Sequence, residues 1–380
     1  MNIACIKELR SGENRVSLIP DVVSLLTKMG AKVHVETHAG ENAFFEDAQY
    51  VSAGALIAKD RLACVADADI VTVVGPPVED GLVKSMKKGS VLLGMLNLFD
   101  HHNLVRDLME MNSAAFSLEF IPRISRAHSM DVLSSQASIA GYKAVILAAS
   151  HLGKYFPMLT TAAGTIVPAK VFVLGAGVAG LQAIATARRL GAVVEAFDIR
   201  PAVKGEVESL GAKFVHESLE EDTVAEGGYA KEISDNAKQR EQQLLKDHIA
   251  KSDVVITTAQ VPGKKAPMII TESMVEIMKP GSVIVDLAAE QGGNCALTEG
   301  GKDILYKGIK ILGPINLPSG LPIHASQLYA RNVYKLLQCM IDKEAQIKLD
   351  FSDEIIDKTC VIHDGVIRNE ILKKQANLAS

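Results

Sequence analysis

The sequence predicts an α/β fold of two domains with parallel sheets, joined by long helices. Three observations predict it. Short β-branched runs alternate with helical periods through most of the chain. The 380 residues exceed one ordinary domain of roughly 100 to 200 residues. A Gly-x-Gly-x-x-Gly run follows one strand and opens a helix.

In chain order, strands are predicted at residues 3–6, 32–36, 70–74, 91–95 and 114–118. Between the first two, residues 20–29 form a helix with Val22, Leu25, Leu26 and Met29 on one face. Pro20 suits its first turn and Gly30 its C-terminal cap. This first α/β domain is expected over residues 1–132. Residues 129–152 read as a helix, long enough at about 1.5 Å per residue to connect two domains. Strands follow at 170–174, 193–197, 213–215, 253–257, 282–286 and 309–312, mostly separated by helical segments. Such a series predicts a doubly wound sheet over residues 133–324. The polar segment 217–243, with Gly227 and Gly228, is longer than usual connections and reads as a lid. A helix at 326–340 then leads to a hairpin turning at Asp364 and Gly365. A tail this short is marginal alone, so residues 325–380 are expected to complete the first domain, making it discontinuous.

Composition excludes several classes. A hydrophobic fraction of 48%, 22% charged residues and mean hydropathy +0.17 describe a chain that buries cores rather than a disordered one. Charges and glycines interrupt every apolar run, so no direct membrane insertion is expected. The start lacks the apolar segment of a signal peptide, so export by that route is not expected, and the cysteine usage reads as reduced thiols in a cytoplasmic setting. A net charge of −5, with lysines and arginines dispersed, gives no footprint for nucleic acid. The cysteines, Cys5, Cys64, Cys295, Cys339 and Cys360, are too widely spaced for a disulfide framework or a zinc site, and no metal is expected.

The most specific local pattern is VFVLGAGVAG and its continuation. Gly175 permits a tight turn, Gly177 lets backbone approach a pyrophosphate, and Gly180 lets helix and strand pack closely. Ala176, Val178 and Ala179 complete the turn and place helix N–H groups toward negative charge. Asp198, at the end of the next strand, suits the ribose hydroxyls of NAD(H) and repels a 2′-phosphate. Ile199 and Arg200 follow it; the cation slightly weakens that preference. The second domain is therefore Rossmann-like, with NAD(H) as the expected cofactor.

Residues 122–142, PRISRAHSMDVLSSQASIAGY, carry a more specific likeness. Together with TTAAGT at 160–165, the glycine run at 175–192, GGYAKE at 227–232 and LAAEQGGNC at 287–295, they resemble domain I, the NAD(H)-binding component of the proton-translocating nicotinamide nucleotide transhydrogenases. The resemblance covers nearly the whole chain and implies two Rossmann-like domains. It further implies that Arg123, His128, Asp131 and Ser134 form a loop around the nicotinamide, with His128 where the family has Gln. Tyr229, beside Gly228, matches a mobile-loop tyrosine that closes over the nucleotide, and Gln260 stands in a loop near the adenosine. The implied partners are a domain III component carrying NADP(H), a membrane domain II component that conducts protons, and a second copy in a homodimer. The chain resembles the separate alpha subunit found in some bacteria, peripheral to the inner membrane through its partners. The implied reaction is that of a Si-specific/Re-specific transhydrogenase: direct hydride transfer, which requires positioning of two nicotinamides rather than an acid or base.

A more distant resemblance is to alanine dehydrogenase. That chemistry needs a proton relay, which the family supplies from a Lys in a K-E-P segment and a His after a strand. Gly75 and Asn97 stand at those positions here, while Arg15 matches a carboxylate-binding arginine. A third possibility, a non-catalytic NAD-binding regulator, is opposed by the retained Arg123, Asp131 and Ser134.

Overall fold

Every strand expected in the first 120 residues is present in the computed structural model, which describes residues 1–78, 81–216, 235–260 and 265–378. Two units divide the chain: Met1–Gln136 with Pro318–Ser380, and Ala137–Leu317.

In the first unit β1 (Asn2–Cys5), β2 (Lys32–Glu36), β3 (Leu56–Ala58), β4 (Ile70–Thr72), β5 (Val91–Gly94) and β6 (Ala114–Ser117) are parallel, in the spatial order β3-β2-β1-β4-β5-β6. Strand side chains alternate between faces. Thus Ile3, Cys5, Val33 and Val35 enter one core, and Ala4, Ile6, Val71 and Val73 enter another across the sheet. A parallel sheet buried on both faces explains why these strands read as continuous apolar runs. The helix Pro20–Lys28 starts at its proline, and Gly30 takes the left-handed φ of +90° just beyond its end. Val23 rather than Leu25 joins Val22 and Leu26 on its buried face; Leu25 is 40% exposed.

The second unit begins inside the helix Val132–His151. By length and composition this 20-residue helix, with hydropathy 1.2, could cross a bilayer. Lys143 and several serines interrupt its apolar text, so it forms no uninterrupted apolar run. A helix within a folded core passes the same test. A small exposed hairpin follows, β7 (Leu159–Thr161) and β8 (Gly164–Ile166). The main sheet contains β9 (Lys170–Leu174), β10 (Val193–Phe197), β11 (Lys213–Val215), β12 (Val254–Thr257), β13 (Val283–Asp286), β14 (Asp303–Tyr306) and β15 (Ile309–Leu312). Its order is β11-β10-β9-β12-β13-β15-β14, with only β14 antiparallel. The six parallel strands therefore reproduce the doubly wound dinucleotide-binding order. From Asp235 onward the chain is helical to Ile249, so the expected loop through residue 243 ends earlier; residues 217–234 lie outside the described set.

The helix Pro322–Met340 and the strands β16 (Cys360–His363) and β17 (Val366–Ile367) return to the first unit, where β16 pairs antiparallel with β6. Asp364 and Gly365 have φ of 49° and 70°, the two left-handed positions of a tight hairpin turn.

Candidate dinucleotide site

At Gly175 and Gly180 the fingerprint turn is built by contacts that admit only glycine. Gly175 has φ +99°, and a Cβ there would lie 2.5 Å from Thr258 Oγ1. The Thr258 hydroxyl donates to the carbonyls of Leu174 at 3.3 Å and Gly175 at 3.1 Å, so the residue just after β12 braces the turn. A Cβ on Gly180 would sit 1.8 Å from the Gly175 carbonyl oxygen. Over Gly177 the Cβ direction is open, with nothing within 4 Å. Gly177 caps the helix Val178–Arg189 without a side-chain bond, leaving the first-turn N–H groups, including those of Val178 and Ala179, for an anion. Ala176 is buried in the same turn.

Asp198 lies just beyond β10 and is 6% exposed. Its Oδ2 accepts from the Ala176 N–H at 2.8 Å and Arg200 Nη2 at 2.9 Å; its Oδ1 accepts from the Arg200 N–H and Nε, both at 2.9 Å. Burial pushes the carboxyl up, but Arg200 and the Ala176 N–H outweigh it and hold the pKa below the usual value. The acid is thus held by its neighbour's guanidinium, a pairing not expected from sequence. Ile199 packs against the core beneath. Gln260 is exposed and donates from Nε2 to the Leu287 carbonyl at 2.7 Å, linking the segments after β12 and β13. Gly228 and Tyr229 lie outside the described residues.

Sequence reasoning missed two supports. Gly141 in the helix Val132–His151 meets the fingerprint helix so closely that a Cβ would fall 2.1 Å from the Ala179 carbonyl oxygen; a glycine inside a helical pattern was the available signal. Asp286, fully buried at the end of β13, accepts from Thr257 and Thr298 hydroxyls and from the N–H groups of Ala288, Asn294 and Cys295, at 2.7 to 3.0 Å. It fixes LAAEQGGNC, whose Asn294 in turn bonds the Ala259 backbone.

In the first unit, Ser125–Met130 is a short 3-10 helix with Ala127 and Met130 turned into the core. Arg126 pairs with Asp353, and the Ser129 carbonyl accepts from Asn332 Nδ2 at 2.8 Å. Asp131 caps the following helix: its Oδ1 accepts from the Ser134 N–H at 2.9 Å and its Oδ2 from the Ser134 hydroxyl at 2.6 Å. The arrangement brings Asp131 and Ser134 together and leaves Arg123 and His128 exposed.

The strand order of the same unit reverses between β1 and β4, the kind of point outside whose strand ends ligands bind in open α/β sheets. A Cβ on Gly75 would be 2.5 Å from Arg10 Nη2, so the Arg10 guanidinium covers the position. Asn97 has φ 41°, and its Nδ2 donates to Asp100 at 2.8 Å. Arg15 is buried, donating from Nε and Nη2 to both Glu13 oxygens at 2.7 Å and from Nη1 to Gln136 Oε1 at 2.9 Å. Its guanidinium is committed to structure.

Nearby, Glu8 accepts from the Val74 N–H, and burial, reinforced by the Glu13 charge, pushes its carboxyl up to about 7. Between the ordinary value of 4.5 and about 7 the folded chain holds a proton that the unfolded chain has lost. Stability from this group therefore falls as pH rises through that window. Glu8→Gln is expected to flatten that slope and to raise the thermal midpoint more at pH 8 than at pH 5. Equal gains at both pH values would contradict the assignment.

Comparison with known proteins agrees with this architecture. Residues 4–140 match "Alanine dehydrogenase/PNT, N-terminal domain" and residues 144–370 match "Alanine dehydrogenase/PNT, C-terminal domain". An NAD(P) transhydrogenase subunit alpha chain of Rhodospirillum rubrum is 46% identical over 99% of this chain and 100% of its own length. The crystal structure of transhydrogenase from Sinorhizobium meliloti superposes with TM-score 0.87 at 40% identity, covering 97% of this chain and 100% of the other. Alanine dehydrogenase of Staphylococcus saprophyticus is more distant, 31% identical over 89% of this chain and 90% of that protein. With both halves matched and full-length identity of 46% to a transhydrogenase alpha subunit, the chain belongs to the alanine dehydrogenase/PNT family, and within it is homologous to the transhydrogenase branch.

Proposed function

We propose that this chain is the NAD(H)-binding subunit of a proton-translocating transhydrogenase. It works by direct hydride transfer with NADP(H) held on a domain III component, coupled to proton movement through a membrane domain II component. The carrying observation is the glycine turn, closed at Gly180, open above Gly177 and flanked by Asp198. Those residues fit NAD(H), which when bound supplies the hydride. Gly175, Ala176, Gly177, Val178, Ala179 and Gly180 would cradle the pyrophosphate, Asp198 and Ile199 the adenosine ribose, and Arg200, Gly228 and Gln260 the adenosine side. Arg123, His128, Asp131, Ser134 and Tyr229 would orient the nicotinamide and exclude water. The likeness to a chain named as subunit alpha of a transhydrogenase supports the need for partner subunits; the cytoplasmic seat beside a membrane component is part of the proposal.

The chain would act as a homodimer. A two-stranded hairpin is marginal alone, yet β7 and β8 stand exposed beside Tyr155, Met158, Ile166 and Val167. Sedimentation should return twice the chain mass, and Val167→Asp with Met158→Asp should shift it toward monomer; an unshifted dimer would place the interface elsewhere.

Amino-acid dehydrogenation has no support at Gly75 or Asn97, neither of which relays a proton. With NADH, pyruvate and ammonia the isolated chain should show no turnover, whereas adding a transhydrogenase NADP(H) component should start hydride transfer. Alanine formation by the chain alone would overturn the proposal.

A further inference from the structure

Two residues after β10 have opposite meanings for an adenosine ribose. A carboxylate favours free hydroxyls, and an arginine accommodates a 2′-phosphate. Here they are bound to each other. Oδ1 of Asp198 holds the Arg200 N–H and Nε, and Oδ2 holds Arg200 Nη2 and the Ala176 N–H. A carboxylate offers about four lone-pair sites, so no acceptor is left for a ribose diol while this fork stays closed. Asp198 is the fixed partner, its side chain 7% exposed against 28% for Arg200.

We infer that Arg200 is a second specificity-determining residue of the nucleotide site. It occupies Asp198 until ribose hydroxyls displace it, and it binds an adenosine 2′-phosphate once the carboxylate charge is gone. This rests on the proposal that the second unit binds NAD(H). In the native chain a 2′-phosphate meets the charge of Asp198 while Nε and Nη2 of the arginine are turned to that carboxylate. Asparagine at 198 keeps an acceptor for Ala176, removes the charge and releases a guanidinium that can grip phosphate with two bonds.

The test is calorimetric titration of the full chain with 5′-AMP, adenosine 2′,5′-bisphosphate, NADH and NADPH, with thermal midpoints recorded. Relative to wild type, Asp198→Asn should gain at least about tenfold in preference for the bisphosphate over 5′-AMP. Salt should weaken the gain, and adding Arg200→Gln should abolish it. A preference that does not move in a folded Asp198→Asn, or that survives Arg200→Gln, overturns the inference. Should Asp198→Asn fail to fold, Arg200→Gln alone decides: freeing the Asp198 oxygens should tighten NADH binding several-fold, and unchanged or weaker binding overturns it. A wild-type chain that binds neither 5′-AMP nor NADH contradicts the NAD(H) assignment itself.

Discussion

Gly180→Ala is expected to weaken NADH binding by about a hundredfold, or ~2.7 kcal/mol, and to destabilise the second unit by about 1–3 kcal/mol. The added methyl would lie 1.8 Å from the Gly175 carbonyl oxygen and 2.8 Å from its carbon. Neither is the end of a flexible side chain, so the fingerprint helix must move off β9, taking its N–H groups with it. Gly177→Ala is the matched control. Its methyl meets no atom within 4 Å and its φ is −79°, so the thermal midpoint should stay within about 1 °C, since surface changes are usually near neutral. Its NADH affinity should still fall by about tenfold, because the methyl enters the space where backbone must approach pyrophosphate. Thermal melts and fluorescence titration of both variants check this. A Gly180→Ala protein that binds NADH as tightly as wild type would show that the turn does not hold the nucleotide.

The other large effect lies in the first unit. Glu13→Ala should cost about 3–5 kcal/mol, because it leaves the Arg15 charge buried without its partner. Glu13 and Arg15 are 3% and 4% exposed. Their two 2.7 Å bonds form a planar fork, and Glu13 accepts at longer range from the Arg15 N–H at 3.0 Å and from Arg10 at 3.2 Å. Arg15→Ala should destabilise comparably. The double variant Glu13→Leu with Arg15→Met should lose less than either single change, because no unpaired charge remains. Urea midpoints measure this, and NADH titration of the folded variants should show near-native affinity. Arg15→Ala with native stability would mean that Arg15 is a ligand-binding side chain rather than part of the scaffold.

What was legible in the sequence follows from what backbone and composition can encode. The strand series and glycine turn were legible because a doubly wound sheet needs apolar runs on both faces and the turn needs particular glycines, demands met within a few residues of chain. The Asp364-Gly365 hairpin was legible for the same reason. Leu56–Ala58, at the edge of its sheet, and Asp303–Tyr306, with alternating partial burial, were missed because short edge strands lack a continuous apolar signal. The 159–166 hairpin, almost wholly exposed, has no hydrophobic pattern of its own. At the site, residue types were legible but pairings were not. Nothing in DIR indicates that Arg200 folds back onto Asp198, since a rotamer choice decides it. Gly141 and Ala179 meet through a contact between elements that spacing does not encode.

Direct passage of hydride from this chain's own nucleotide to one on a partner is measurable by isotope transfer. The chain would be loaded with NADH deuterated at the transferring C4 position and mixed with a transhydrogenase NADP(H) component and NADP⁺. The NADPH formed is expected to carry the deuterium at C4, solvent to gain none, and nothing to be transferred when either protein is omitted. Deuterium released to water, or NADPH formed by the partner without this chain, would contradict it.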